Sequence, residues 1–236
     1  MRTIRPGRTT PTDRPSDRRF LAGPQSLWFE LREAARIGGE YLGGLQALRA
    51  VGPCVTVFGS ARLPPHDPAC VTARHLGTEL ARQGFTVMTG GGPGVMEAAN
   101  RGAQEAGGHS VGCNILLPVE QEPNPYLDVL VTFRHFFIRK VMLVRYSSAF
   151  VALAGGLGTF DEVFEAATLI QTGKIRDFPI VLMGVEFWQP LVDLLLDTLV
   201  TRSTIDHRDA TRFLVTDSAE EAVAHIMSAS GGHPAG

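Results

Sequence analysis

The sequence predicts a doubly wound α/β domain, a three-layer sandwich around a mostly parallel sheet, preceded by an N-terminal helical arm. Short apolar runs without polar alternation recur along the chain, which is typical of strands buried on both faces of a parallel sheet. Segments with helical periodicity separate these runs, and regular strand–helix alternation indicates a doubly wound sheet. The 236 residues are 44% hydrophobic and 19% charged, a balance that favours a folded globular chain over a disordered one.

The two ends of the chain differ in composition from its middle. Residues 1–19 hold six arginines, two aspartates and three prolines but few apolar residues. We expect a disordered basic tail there, the alternative being an arm for nucleic acid or targeting, and no apolar stretch follows that would make a secretory signal. Residues 20–50 are expected to form the helical arm, as a lid or a dimer arm, on a domain of residues 51–228, with a flexible tail at 229–236.

The elements of the domain follow from local patterns. Apolar runs predict seven strands, at Cys54–Phe58, Phe85–Met88, Ser110–Leu117, Val129–Phe133, Ala149–Leu153, Ile180–Met183 and Phe213–Val215. The first helix of the domain is expected to begin at Asp67, an N-cap residue, with Pro68 at the first helical position. Further helices are indicated at Val95–Ala106, around Phe136–Met142, at Phe160–Ile170 and around Leu191–Leu195, and Asp217 is expected to cap the last helix.

Composition and charge exclude several classes of function. The net charge of −2 provides no general attraction to nucleic acid or to acidic membranes. The longest uncharged stretch, Tyr146–Phe160, is 15 residues, too short for a membrane-spanning helix. The three cysteines are widely spaced and no two histidines have the spacing of metal ligands, so we expect reduced thiols in a cytoplasmic protein and neither a metal nor another cofactor.

Three loops that follow predicted strands are rich in small residues: Phe58–Arg62, Thr89–Glu97 and Ala154–Glu162. In open α/β sheets ligands bind beyond the carboxyl ends of the strands, and a loop of small residues at a helix N-terminus lets backbone N–H groups approach a phosphate. The triphosphatase P-loop, the dinucleotide G-x-G-x-x-G pattern and the serine-hydrolase G-x-S-x-G pattern are all absent from the sequence. The alternative is that these loops are only tight turns.

Charged residues near the third loop have two interpretations each. Glu162 follows Thr159 by three residues, the spacing of a helix capping box, or it presents a carboxylate to the sugar of a bound nucleotide. The adjacent Arg139 and Lys140 lie on a predicted helix, either as an ordinary helix surface or as part of a ligand site.

Three stretches carry a specific combination of motifs: GGGPGVMEAAN at Gly90–Asn100, FFIRK at Phe136–Lys140 and GGLGTFDE at Gly155–Glu162. Together they resemble the LOG (Lonely Guy) family of cytokinin riboside 5′-monophosphate phosphoribohydrolases, often labelled lysine decarboxylases. The resemblance implies a Rossmann-like fold, a homodimer or higher homo-oligomer, and hydrolysis of a nucleoside monophosphate to free base and ribose 5-phosphate. Two phenylalanines stand where plant-type members have Met-His, as in a bacterial subgroup of the family.

The resemblance also assigns roles, residue by residue. It implies that Arg139 and Glu162 form the catalytic pair and that Lys140 assists substrate binding. The phosphate would lie on Gly155, Gly156, Gly158 and Thr159. The other expected substrate contacts are Ser60, Arg62, Gly91, Gly92, Met96, Glu120, Leu157, Phe160, Asp161 and Thr168.

Three hypotheses about function follow. The first is hydrolysis of the N-glycosidic bond of AMP or an N6-modified AMP. The alternative is a non-catalytic nucleotide or molybdenum-cofactor carrier or sensor of the same fold, which would keep the glycine loops but would not need Glu162. Nucleic-acid binding is disfavoured because the residues after the tail are acidic overall, and no stacking platform is visible. Lysine decarboxylation is also disfavoured because Lys140 lies within the nucleotide motif rather than at a cofactor site.

Overall fold

An eight-stranded parallel sheet with helices on both faces forms the centre of the computed structural model, which describes residues 2–4, 20–117, 122–176 and 178–229. The strands are β1 (Arg2–Ile4), β2 (Cys54–Phe58), β3 (Thr86–Thr89), β4 (Ser110–Ile115), β5 (Val129–Phe133), β6 (Ser147–Ala152), β7 (Ile180–Met183) and β8 (Phe213–Thr216). The helices are α1 (Leu27–Leu48), α2 (Pro68–Arg82), α3 (Val95–Glu105), α4 (Phe136–Tyr146), α5 (Leu157–Gln171), α6 (Val185–Asp193, continued by a π-helical Leu194–Val200), α7 (His207–Ala210) and α8 (Ala219–Ala229). The predicted fold class is confirmed.

The order of the strands places a crevice at the middle of the sheet. The order is β1-β5-β4-β3-β2-β6-β7-β8, and every described pair is parallel. From β2 the chain first builds outward through β3, β4 and β5, and then returns to add β6 on the other side of β2. The connections diverge between β2 and β6, and this is where open α/β sheets bind their ligands.

Two apolar layers enclose the sheet. One layer packs α2, α3 and α8 against one face, with Ala73, Ala99 and Ala222 fully buried. The other packs α1, α4, α5 and α6 against the opposite face, with Met142 and Trp188 fully buried. Helices on both faces explain why the strands read as apolar without alternation: neither side of the sheet faces water.

Helix α1 lies against α4 and the end of β5. Its glycines do not interrupt it, and Gly44 is required by close packing, because a β-carbon there would lie 2.9 Å from Phe133 and 3.1 Å from Met142. The hydroxyl of Tyr146 donates to the carbonyl of Leu45 at 3.1 Å. The predicted arm is therefore a helix packed on the domain.

Local details differ from the sequence expectations at two places. Arg2–Ile4, within the segment predicted as a disordered tail, pair with β5; residues 5–19 lie outside the described residues. Asp217 does not cap the last helix, because its carboxylate accepts the N–H of Val185 at 2.9 Å, while the hydroxyl of Ser218 accepts the N–H of Glu221 at 3.1 Å. Within the described residues, every helix is too short or too polar to span a bilayer.

Candidate active site

A cavity of about 550 Å³ opens at the carboxyl edge of the sheet, where the connections from β2 and β6 diverge. Its walls come from distant parts of the chain: Phe58–Arg62 after β2, Gly90 after β3, Met96 on α3, Arg139 on α4, and Gly156–Thr159 with Glu162 on α5. Nine of the residues expected from sequence line it: Ser60, Arg62, Met96, Arg139, Gly156, Leu157, Gly158, Thr159 and Glu162.

Arg139 and Glu162 face each other at the base of this cavity. The guanidinium Nη2 of Arg139 donates to Oε1 of Glu162 at 2.8 Å, and the two side chains are 15% and 2% exposed. The pair leaves polar atoms unused: neither Nε of Arg139 nor Oε2 of Glu162 has a hydrogen-bond partner in the described part of the chain. Because buried polar groups are normally satisfied, two such atoms at one cavity indicate a place for a polar ligand.

The surroundings of Glu162 shift the pKa of its carboxyl group. Burial raises the pKa of its carboxyl group above the ordinary value, against the opposing effects of Arg139 and Lys140. A carboxylate whose pKa moves toward neutrality is suited to accept and return protons near physiological pH. Its location in a cleft beside a cation makes Glu162 a candidate catalytic group on physical grounds.

The N-terminus of α5 forms another wall of the cavity. The helix begins at Leu157 with Gly156 as N-cap, so Thr159 is inside the first turn and Glu162 lies in the second. The capping-box interpretation of Thr159 and Glu162 is therefore wrong, because no side chain caps this helix. The first N–H groups of a helix lack intrahelical partners and carry a partial positive charge, which suits a phosphate. Leu157, 91% exposed, stands at the mouth of the cavity.

Lys140 is directed away from the cavity and joins α4 to α5. Its Nζ lies 2.8 Å from a carboxylate oxygen of Asp161 and 2.8 Å from one of Glu165. Burial acts to lower the pKa of Lys140, but the hydrogen bonds to these two carboxylates outweigh it and raise the pKa. Lys140 and Asp161 thus hold the two helices that carry Arg139 and Glu162, and neither lines the cavity.

The loop after β3 is held by a buried polar network that the sequence interpretation missed. The hydroxyl of Thr89 donates to Asn100 and accepts the N–H of Gly91, and the amide of Asn124 donates to Asn100 and to the carbonyl of Gly92. Asn100 in turn donates to Ser110. In the sequence, the only sign of this network is that polar residues stand at strand ends and on a helix face that is otherwise apolar.

The remaining expected contacts that the structure describes lie outside the cavity. Gly155 packs against Thr159, leaving no room for a β-carbon, and the ring of Phe160 contacts Trp188 with centroids 5.1 Å apart. The hydroxyl of Thr168 donates to the carbonyl of Phe164 on the exposed side of α5. Glu120 lies outside the described residues. Among the described residues, no group of three or more His, Cys, Asp or Glu side chains is arranged to hold a metal ion.

Comparison with known proteins identifies the family. A family model described as "Possible lysine decarboxylase" matches residues 96–226, more than half of the chain. The chain belongs to the LOG family. It is 31% identical over 178 residues to the cytokinin riboside 5′-monophosphate phosphoribohydrolase of Mycobacterium tuberculosis, which covers 72% of this chain and 90% of that protein. It is 33% identical over 149 residues to the rice protein of the same name with the suffix LOG, which covers 61% of this chain and only 60% of the rice protein.

Solved structures with a similar fold include a structural-genomics target and two proteins of the molybdenum cofactor. A structural-genomics crystal structure is 30% identical, with a TM-score of 0.58 over 75% of this chain and 99% of its own. The molybdenum cofactor carrier protein of Chlamydomonas reinhardtii is 25% identical, with a TM-score of 0.56 over 77% and 99%. The molybdenum cofactor binding protein of Rippkaea orientalis is 25% identical, with a TM-score of 0.54 over 75% and 96%.

Proposed function

We propose that this protein hydrolyses the N-glycosidic bond of a nucleoside 5′-monophosphate, AMP or an N6-modified AMP, to the free base and ribose 5-phosphate. The observation that carries the proposal is the buried Arg139–Glu162 pair, which lines the same cavity as the N-terminus of α5 and whose Nε and Oε2 atoms have no hydrogen-bond partner among the described residues. The names of the curated relatives support the same chemistry.

Each part of the cavity has a task in this reaction. The phosphate binds at the N–H groups of Leu157 and Gly158 in the first turn of α5, since the N–H of Thr159 donates to the carbonyl of Gly156, and this fixes the ribose over Glu162. As the bond from C1′ to the base breaks, positive charge develops on the ribose, and the carboxylate of Glu162 stabilises it. Water then forms the new bond to C1′ and loses a proton to Glu162, while the departing base takes up a proton from solvent at its nitrogen. Glu162 returns its proton to solvent and is a carboxylate again. Arg139 keeps Glu162 oriented through the 2.8 Å contact.

Lys140 argues against decarboxylation of lysine, the activity suggested by the description of the family model. A lysine that forms a Schiff base with pyridoxal phosphate is activated by a lowered pKa. Lys140 instead has a raised pKa and is paired with Asp161 and Glu165. Its ammonium group is therefore engaged in joining α4 to α5.

The test is release of base and ribose 5-phosphate from AMP and from isopentenyladenosine monophosphate. Wild type is compared with Glu162→Ala and with Glu186→Gln, a matched control in the first turn of α6 at the same sheet edge but outside the cavity. We expect release by wild type, an unchanged rate for Glu186→Gln, and a loss of about 10²–10⁴-fold for Glu162→Ala. Thermal unfolding and calorimetric nucleotide binding check that the variants are folded and bind.

A carrier function is the second candidate, favoured by the molybdenum-cofactor proteins among the solved structures. Such a protein needs the phosphate-binding turn but no ionised group below the ribose. If neither nucleotide is cleaved although both bind equally to wild type and Glu162→Ala, the hydrolase proposal is wrong and the carrier is favoured.

A further inference from the structure

A buried ionic cluster joins the arm helix α1 to the start of α4. His135, 1% exposed, precedes α4 and lies between two glutamates of α1. Its Nδ1 is 2.8 Å from Oε2 of Glu40 and its Nε2 is 3.3 Å from Oε1 of Glu33. Since carboxylates only accept hydrogen bonds, both contacts are hydrogen bonds when the ring carries a proton on each nitrogen. Arg36 provides Glu33 with a second partner at 3.2 Å.

Glu40, on α1, also accepts hydrogen bonds from the backbone just before α4. Its Oε1 accepts the backbone N–H groups of Arg134 at 2.7 Å and of His135 at 3.1 Å. Two peptide donors before the first turn of α4 are thus satisfied by a side chain nearly one hundred residues earlier in the sequence. A carboxylate at a helix N-terminus also interacts favourably with the helix dipole.

The cluster lies one turn from the proposed catalytic pair. The carbonyl of His135 accepts the N–H of Arg139 at 3.2 Å, the first hydrogen bond of α4. Arg139 then reaches Glu162 at 2.8 Å. A continuous series of hydrogen bonds therefore connects Glu40 through His135 to Arg139. A shift of the start of α4 would displace the guanidinium of Arg139.

We propose that Glu40 is a positioning residue: with Glu33 and His135 it sets the start of α4 and so places Arg139 against Glu162. The arm helix then serves the site from outside the cavity, without touching a substrate. The expected effect on kcat rests on the proposed hydrolase function. The expected effect on the position of the Arg139 guanidinium does not.

The experiment compares Glu40→Ala, Glu40→Gln and the control Glu30→Ala. Glu30 is also on α1, but its carboxylate accepts only the nearby N–H of Gln25 among the described contacts. The first readout is the ¹⁵Nε–H signal of Arg139, assigned by its absence from Arg139→Lys and by its shift in Glu162→Gln. The second is the separation of kcat from KM for AMP.

We expect Glu40→Ala to shift the Arg139 signal and to lower kcat on the order of 10- to 100-fold, because small misplacements cost this much, with KM little changed. Glu40→Gln retains an oxygen that accepts the two peptide N–H groups. Its Arg139 signal and its kcat should therefore stay close to those of wild type. Glu30→Ala should match wild type. If Glu40→Ala does not fold, Glu40→Asp, one methylene too short to reach all three donors, takes its place with an intermediate loss.

Two outcomes overturn the inference. One is a folded Glu40→Ala, or its replacement Glu40→Asp, with an unchanged Arg139 signal and kcat; a lower unfolding temperature in that case would make the cluster structural only. The other is an equal loss in Glu30→Ala. If wild type cleaves no nucleotide, the proposed function fails, and the Arg139 signal still decides whether Glu40 positions this residue.

Discussion

Two glycine-rich loops follow β3 and β6, on either side of β2 at the same sheet edge, and serve different purposes. In the loop after β3, Thr89 accepts the N–H of Gly91, Asn124 donates to the carbonyl of Gly92, and Asn100 accepts from both of these side chains; the two glycines are buried. In the loop after β6, Gly158 and Leu157 are exposed, and a β-carbon on Gly158 would meet nothing within 4 Å. Apart from Gly90, which lines the cavity, the first loop is closed by the protein itself, whereas the second is open to a ligand.

The difference shows that glycine content alone does not define a phosphate site. In the loop after β3, glycine is required by backbone conformation and close packing, as at Gly94, where φ is +69°. In the loop after β6, small residues leave peptide N–H groups accessible. The second kind of loop leads directly into α5, which carries Glu162, whose buried Oε2 has no hydrogen-bond partner among the described residues.

The largest expected effect is on the closed loop. Gly94→Ala forces a residue with a β-carbon into a positive φ and against the carbonyl oxygen of Ser60. We expect a loss of about 2–4 kcal/mol of unfolding free energy, measured by urea denaturation. Gly107→Ala is the control, since φ is +77° but the space is open, and it should lose only about 1 kcal/mol. Equal losses would show that steric overlap does not constrain the closed loop.

The open loop should respond in binding instead. Gly158→Ala places a methyl group where the phosphate approaches, so the Kd for AMP should rise about tenfold, which is ~1.4 kcal/mol. Folding should not suffer, because alanine is the better helix former. Gly38→Ala, an exposed helical glycine of α1 with nothing within 4 Å, is the control for stability without an effect on binding. Calorimetry measures the Kd for AMP, and thermal unfolding measures stability. An unchanged Kd for Gly158→Ala would show that this turn does not bind the phosphate.

The smallest expected effect concerns the carboxylate beside the open loop. Folding raises the pKa of Glu162, so ionisation of this group in the folded protein lowers the free energy of unfolding. This loss is absent below the pKa of the unfolded state and grows as pH rises through the pKa of the folded state. Glu162→Gln should therefore unfold at a higher temperature than wild type at pH 8, by roughly 2 °C, with the gap closing toward pH 4.

Glu220 provides a control of opposite sign for this prediction. A hydrogen bond with His75 is the largest of the contacts that hold the pKa of Glu220 at about 2. Glu220→Gln should thus unfold at a lower temperature than wild type at neutral pH, and the gap should shrink as pH falls. A Glu162→Gln variant that behaved like Glu220→Gln would contradict the account of the buried carboxylate.

Much of the fold was predictable because its signals are local. All seven predicted strands are present, since strands buried on both faces must be apolar along their whole length. The start of α5 was placed too late because the packing of Thr159 against Gly155 lets the helix begin at Leu157. The burial of Glu33 and Glu40 was not predictable, because their partner His135 lies about a hundred residues away.

Periodicity and turn chemistry alone predict seven of the eight described strands, the main helices between them and the three small-residue loops, with Glu162 at the end of the third. The tertiary structure decides which loop is closed and which is open, that Arg139 meets Glu162 while Lys140 joins α4 to α5, and that two acidic residues of the arm lie inside the protein. The reason is physical: backbone preferences depend on neighbours in sequence, whereas ion pairs, burial and the resulting pKa shifts depend on distances that only the folded chain defines.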